Sequence, residues 1–245
     1  MRHMWMRTLA ISSVLLLGAG PAGALTLDFD DFVHGEAVAQ QLQIMLGVQL
    51  TTLNVPRGHD LGIAFDTNVA SSETTDDDLL FSGGWAGGNL AGEPVHDPML
   101  NRILIIQEDA SRCGPSGDTY ICDDPDDEGG RPAGWFRFDL PDAYDHFAFD
   151  LVDVEDAMTE KGMVVFTYEG GDERVYAFED FAGVAWGNRT ANHIDLGDVG
   201  MYDRVVIHIG GSGGVDNLVM TPEPGTIALL GLGLAGLSIA SRRRA

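Results

Sequence analysis

Carboxylates are the residues of this 245-residue chain best placed to do chemistry, and they come in clusters. Asp76, Asp77 and Asp78 form one run, Asp123, Asp124, Asp126, Asp127 and Glu128 another, and Glu108 with Asp109 stands between them. Hard divalent cations take six to eight oxygens, and clustered loop carboxylates are their usual protein source. The expected chemistry is a structural calcium site with Asp76, Asp77, Asp78, Asp109, Asp124, Asp126 and Glu128 as candidate ligands. A second candidate site joins the first predicted strand, through Asp28 or Asp30, to the last, through Asp216. Without an ion, the same residues are a solvated acidic surface. Asp124, Asp126, Glu128 and Gly129 follow the opening spacing of an EF-hand loop, but Trp135 stands where the closing glutamate is required, so that loop type is excluded.

Other chemical motifs carry less. Gly210-Gly211-Ser212-Gly213-Gly214 matches the G-x-S-x-G pattern, but a nucleophile elbow needs a helix after the serine, and a strand is predicted there. Gly231-Leu232-Gly233-Leu234-Ala235-Gly236 matches the dinucleotide fingerprint outside any strand–helix–strand unit. His34, His59, His96, His146, His193 and His208 show no helical metal-ligand spacing. Paired acids for glycoside hydrolysis are uninformative when acids are so abundant. No catalytic residue is assigned, and the expectation is a protein that is not an enzyme, with a secreted hydrolase as the third choice. Trp85, Trp135 and Trp186, each near glycines, are the candidates for sugar-stacking platforms.

These residues must be held by strands. Leu25 to Asp30 alternates apolar and polar at period two, the mark of a strand with one buried face. Similar segments are predicted near 48–54, 61–66, 102–108, 134–140, 146–154, 163–169, 174–178, 193–196, 204–209 and 215–220, separated by Gly, Asp, Asn and Pro clusters. The only candidate helix is 36–46. Short strands in this number predict an all-β fold, an antiparallel jelly-roll-like β-sandwich, with Phe136, Phe138, Phe147, Phe149, Leu151, Val164 and Phe166 between its sheets. Residues 68–100 show little periodicity and 109–132 none, and loops of that length are uncommon unless functional or disordered.

Two cysteines, Cys113 and Cys122, flank a turn-rich stretch and are predicted to form a disulfide in an oxidising compartment. The formal charge is −24, and removing the arginines and the glutamate of the two ends takes it to −28. Such an excess repels nucleic acid and anionic lipid and attracts divalent cations.

The ends are the most legible parts. Arg2 and Arg7 precede an apolar run from Leu9 to Leu17 and a small-residue ending at Ala22-Gly23-Ala24, the three parts of a secretory signal peptide over residues 1–24. The run is too short to span roughly 30 Å of hydrocarbon, which needs about 20 helical residues. At the other end Pro222-Glu223-Pro224 forms an extended hinge. An uncharged stretch from Thr226 to Ala240 follows, expected as a C-terminal hydrophobic helix, and Arg242, Arg243 and Arg244 would stay on the cytoplasmic side.

Pro222-Glu223-Pro224, the glycine-rich apolar stretch and the terminal arginines together resemble the PEP-CTERM sorting signal of exported Gram-negative proteins. The resemblance covers the tail, 222–245. It implies transient insertion in the inner membrane and cleavage by an exosortase, a membrane-embedded cysteine transpeptidase-like enzyme. Delivery to the cell surface or extracellular matrix would follow. A weaker resemblance covers the body, 25–221, on Ala64-Phe65-Asp66-Thr67, Asp76-Asp77-Asp78-Leu79, the segments 101–109 and 123–130, and Gly211 to Leu218. These look like a recurring exported bacterial β-sandwich domain, from which the cysteine pair before Asp123 is a departure. The expected function is a structural or adhesive surface component, calcium-stabilised. The alternative is a carbohydrate-binding module for exopolysaccharide.

Overall fold

The computed structural model of the chain describes residues 23–70, 74–81, 84–91 and 100–222. Nearly all of the expected signal peptide lies outside the described residues. So does the tail beyond Pro222, with Glu223, Pro224, Arg242, Arg243 and Arg244. Among the described residues no helix is long and apolar enough to cross a membrane.

The body is built on strands β1 (Leu25–Leu27), β2 (Gln49–Asn54), β3 (Gly62–Asp66), β4 (Arg102–Ile106), β5 (Cys113–Ser116), β6 (Thr119–Cys122), β7 (Gly134–Val152), β8 (Met163–Tyr168), β9 (Glu173–Ala177), β10 (Ala191–Ile209) and β11 (Gly214–Thr221). Two short helices, α1 (Ala39–Leu46) and α2 (Ala157–Glu160), complete it. All named strand pairs are antiparallel. The main sheet runs β3-β4-β11-β7-β10-β8-β9, with β1 added to β11 and β2 to β7. The all-β antiparallel class is as expected. These pairings form one connected sheet that folds over itself, and by themselves they do not trace a jelly roll.

The fold-over depends on β7 and β10, each predicted as two strands and found as one of 19 residues. The ladder between them shifts register between the pairs Asp198/His146 and Arg204/Asp139. On β7 this interval holds Pro141, which has no N–H to give a ladder, and on β10 it holds Gly200 at φ +84°. Phe136 and Phe138 are buried before the bend and Phe147, Phe149 and Leu151 after it, so the inward parity switches from even to odd across it. An odd shift of that kind lets one strand serve two sheet halves with its apolar side always inward. The breaks taken as turns in the sequence are bulges.

One half contains β2, residues 134–139, residues 204–209, β8 and β9. The other contains β3, β4, β1, β11, residues 146–152 and residues 191–198. They meet through aromatic side chains: Phe147 lies 5.3 Å from Phe166 edge-on, and Phe166 lies 4.7 Å from Tyr202. Such contacts contribute beyond their buried area.

The second half is covered on its outer face as well. Leu79, Leu80 and Leu90 pack against Ile63, Phe65, Ile103, Ile105 and Val152 in a second core. The poorly periodic region after Asn68 thus acts as a cover. It is pinned where Gly87 bridges Thr190 and Leu90 N–H donates to Ala191. Gly88, at φ +94°, passes so close that a Cβ would lie 2.0 Å from the Ala191 carbonyl oxygen. A strand buried on both faces need not alternate. That explains the unbroken apolar run Ile103-Leu104-Ile105-Ile106.

The stretch from Asp109 to Pro132, which shows no periodicity and reads as a long loop, contains the β5–β6 hairpin. Cys113 and Cys122 are directly paired across it and form the disulfide.

Candidate metal centre

The acidic loops converge at one end of the second half. A cleft of about 670 Å³ is lined there by eight acids, among them Asp76, Asp78, Glu108, Asp126 and Asp127, and by two arginines, Arg131 and Arg189. Its walls are the turn at Asp77–Leu79, the segment after β6, the end of β7 and the β10–β11 loop.

Each wall has a local reason to be where it is. Leu79 and Leu80 anchor the turn in the second core, which brings Asp76 and Asp78 to the rim. The segment 126–128 extends the ladder of β4: Glu108 N–H donates to the Asp126 carbonyl at 2.8 Å and Glu128 N–H to that of Ile106 at 3.0 Å. Gln107, fully buried, holds the loop before it, donating to the Asp124 carbonyl and accepting from Asp126 N–H. Asp153 follows β7 at φ +59° and accepts from Arg189 N–H.

Asp76, Asp126 and Asp127 each present a carboxylate oxygen, all within 4.8 Å of one another. Two oxygens bound to one calcium ion at about 2.4 Å can be no further apart than about 4.8 Å, so the three fit a common ion. Asp127 N–H donates to Asp76 Oδ2 at 3.0 Å, and Asp127 Oδ2 accepts from Ser212 Oγ at 2.9 Å and from Gly213 N–H. Ser212 Oγ also lies 2.8 Å from Asp153 Oδ2. A hydroxyl has one proton, so Ser212 can donate to only one of the two carboxylates at a time. The other needs a proton or a cation.

The electrostatics agree. Burial, then the charge of Asp127, pushes the Asp76 carboxyl up to about 11. Burial, then Glu108, pushes Asp126 up to about 6. Burial lifts Asp153 to about 7 against the bond from Arg189, with Asp78 adding to the rise. Burial also raises Asp127 well above its usual range, although Gly213 and Ser212 pull the other way. Like charges in a partly desolvated site favour whatever neutralises them, and a divalent cation does so for several at once.

The other predicted ligands separate into rim and bystanders. Asp77 is exposed at the rim, and Asp78 accepts from Asn188 at 3.4 Å. Glu128 forms a wall, its oxygens bonded to Asn54 at 2.9 Å and Gly130 N–H at 2.7 Å. Asp124 is held by Arg112 at 2.8 Å. Asp109 is turned away, accepting from Ser111 N–H at 2.8 Å and Ser111 Oγ at 2.9 Å as the cap of a short turn. Asp28, Asp30 and Asp216 lie elsewhere, at the junction of β1 with β11.

Asp127, Asp153 and Ser212 were not among the predicted ligands. Asp153 had one signal, an aspartate inside the otherwise apolar Leu151-Val152-Asp153-Val154. Ser212 is followed by strand β11, as predicted. Trp186 is stacked on Phe178 at 6.1 Å, and Trp85 packs on Phe81 at 5.7 Å and on the second core. Trp135 is half-buried beside Met163 and His208.

Strand β11 begins at the cleft and runs to Thr221, and Leu25 of β1 is paired with Met220 at its far end. The first strand and the last therefore meet at the end of β11 remote from the carboxylates. No curated protein matches the chain. A family model, the PEP-CTERM protein-sorting motif, matches residues 221–244, starting on the last residue of β11. The chain thus carries a PEP-CTERM sorting motif on a β-rich body, and that motif implies an exported protein recognised by an exosortase.

Proposed function

We propose that this is a surface or extracellular-matrix component whose body is a calcium-stabilised, sandwich-like fold with a structural or adhesive role. The observation that carries the calcium assignment is the approach of Asp76, Asp126 and Asp127, drawn from loops 50 residues apart, to within ligand distance of one ion. Asp78 lies at the mouth, and Asp153 and Ser212 stand behind. In this reading Ser212 serves the Asp127 and Asp153 carboxylates as a hydrogen-bond partner behind the ion.

Orientation supports a surface role. Both processed segments adjoin the paired ends of β1 and β11, and the cleft lies about seven residues up β11, roughly 23 Å away at strand spacing. While the tail is in the membrane, the body presents its acidic cleft outward, away from anionic headgroups that would repel it. The second reading, an exopolysaccharide-binding module, draws on the open cleft, where an ion with free coordination positions offers a place for sugar hydroxyls.

Mass spectrometry of the protein collected outside the cell tests the sorting assignment. The expected mature chain starts at Leu25 and lacks Arg242, Arg243 and Arg244. A secreted form retaining those arginines overturns it. A glycan array with and without Ca²⁺ separates the two roles: calcium-dependent binding favours the module, and no binding favours the structural component.

A further inference from the structure

A second group of acids lies beyond the cleft along β11, where the first strand of the body meets the last. Asp216 on β11 is directly opposite Asp150 on β7, so both carboxylates project from the same face of the sheet. Both residues are fully buried. Asp150 is well provided for: His193 Nδ1 lies 2.7 Å from its Oδ1, and Asn217 Nδ2 donates to its Oδ2 at 2.7 Å. Asp216 is not. Neither of its oxygens has a hydrogen-bond partner among the described residues. The backbone N–H of Asn217 is near enough to ease its charge but makes no hydrogen bond of normal geometry to it.

The neighbours worsen the problem. After burial itself, Asp150, Asp30 and Asp28 all push the Asp216 carboxyl upward. Asp30 is already engaged, accepting from Arg102 N–H at 3.0 Å and Asn101 Nδ2 at 2.9 Å. Arg102 reaches the Asp30 carbonyl and directs its other terminal nitrogen to Asp66 at 3.0 Å. Asp28 is exposed, just beyond the end of β1. The chain is also distorted here. Asn217 has φ +49°, and the ladder to β7 shifts register between Asp216 and Val219. The bulge places Asp216 where the neighbour of β11 changes from β4 to β1.

A proton is an incomplete remedy. It removes the charge but leaves the second Asp216 oxygen without a donor. A cation satisfies both oxygens and offsets the neighbouring charge in one step. We propose that Asp216 and Asp28 bind a calcium-type divalent cation at the junction of the first and last strands, with Asp150, Asn217 and Asp30 as its surround. This site is independent of the cleft. It would latch β1 to β11 at the end of β1 opposite the one from which both terminal segments leave.

Equilibrium dialysis of the purified full chain against Ca²⁺ tests it. In the Asp76→Asn chain, whose cleft is disabled, one Ca²⁺ is expected to stay bound. Adding Asp216→Asn should remove that ion, and adding Asp28→Asn should weaken it at least tenfold. No bound ion in Asp76→Asn, or equal binding with and without Asp216→Asn, overturns the proposal. If circular dichroism shows that Asp216→Asn does not fold, the exposed Asp28→Asn decides, and unchanged affinity there overturns it. A wild-type chain that binds one Ca²⁺, lost with Asp216→Asn but not with Asp76→Asn, would instead remove the cleft site and leave this one standing.

Discussion

The cleft and the Asp216 site set the same residue type against opposite surroundings. Around Asp127 the acids have donors in Ser212, Gly213 and backbone N–H groups, and they open onto a cavity that water and ions can enter. Around Asp216 there is a carboxylate with no exposed surface and no donor among the described residues. Burying charge costs several kcal/mol unless it is paired, so an exchangeable ion suffices at the first site while the second calls for a resident one.

The largest expected effect bears on the cleft. At a calcium concentration about 100 times Kd, binding stabilises by about 2.7 kcal/mol, and each kcal/mol moves Tm by about 2–4 °C in a body of this size. Asp127→Asn is expected to abolish the part of that rise due to the cleft, read by calorimetric melting. An unchanged rise would take Asp127 out of the site.

The next prediction separates the two regions directly. In calcium-free buffer Asp216→Asn should raise stability by about 1–3 kcal/mol, since it removes a buried uncompensated charge. Asp127→Asn should lower it by about 1–2 kcal/mol, because its oxygens serve existing donors. Denaturant midpoints moving in the same direction would erase the distinction.

The pH dependence sharpens it further. Asp126 and Asp153 have folded-state values near 6 and 7, above those of the unfolded chain. The native state therefore holds more protons, and their contribution is fully present below about pH 4 and is lost as pH rises through 6 and 7. Tm without calcium should fall from pH 5 to pH 8, and with calcium that fall should flatten. A calcium-free Tm that rises over this range would contradict the raised values.

The smallest effects concern supporting residues. Ser212→Ala should cost about 1 kcal/mol, the usual worth of one hydrogen bond. Asp109→Asn should leave calcium affinity unchanged, since that side chain caps its own turn. Denaturant unfolding of Ser212→Ala and calorimetric calcium titration of Asp109→Asn check the two.

Much of this was legible in the chain, and the misses have physical causes. The strand signal, short runs between turn clusters, located β2, β3, β8 and β9 to within a residue or two, and of these β2 is the one buried on alternate residues. It failed at Pro141 and at Gly200, where a local turn signal is really a bulge within a strand. It failed again over the cover, where Leu79, Leu80 and Leu90 are spaced by contacts with other strands and follow no period of their own. The acid clusters were visible by composition, but composition did not separate Asp126, which faces the cleft, from Asp109, which caps a turn.

The tail's address was written in contiguous residues: a proline hinge, an apolar stretch and terminal arginines are read one after another, and the family match falls on the same segment. The strand content and the cysteine pair were local in the same way. The convergence of Asp76, Asp126, Asp127, Asp153 and Ser212 was not, and neither was the isolation of Asp216. Ligand distance and solvent exclusion depend on which strands become neighbours. Only the folded sheet, bent at Pro141 and covered from one side, sets that arrangement.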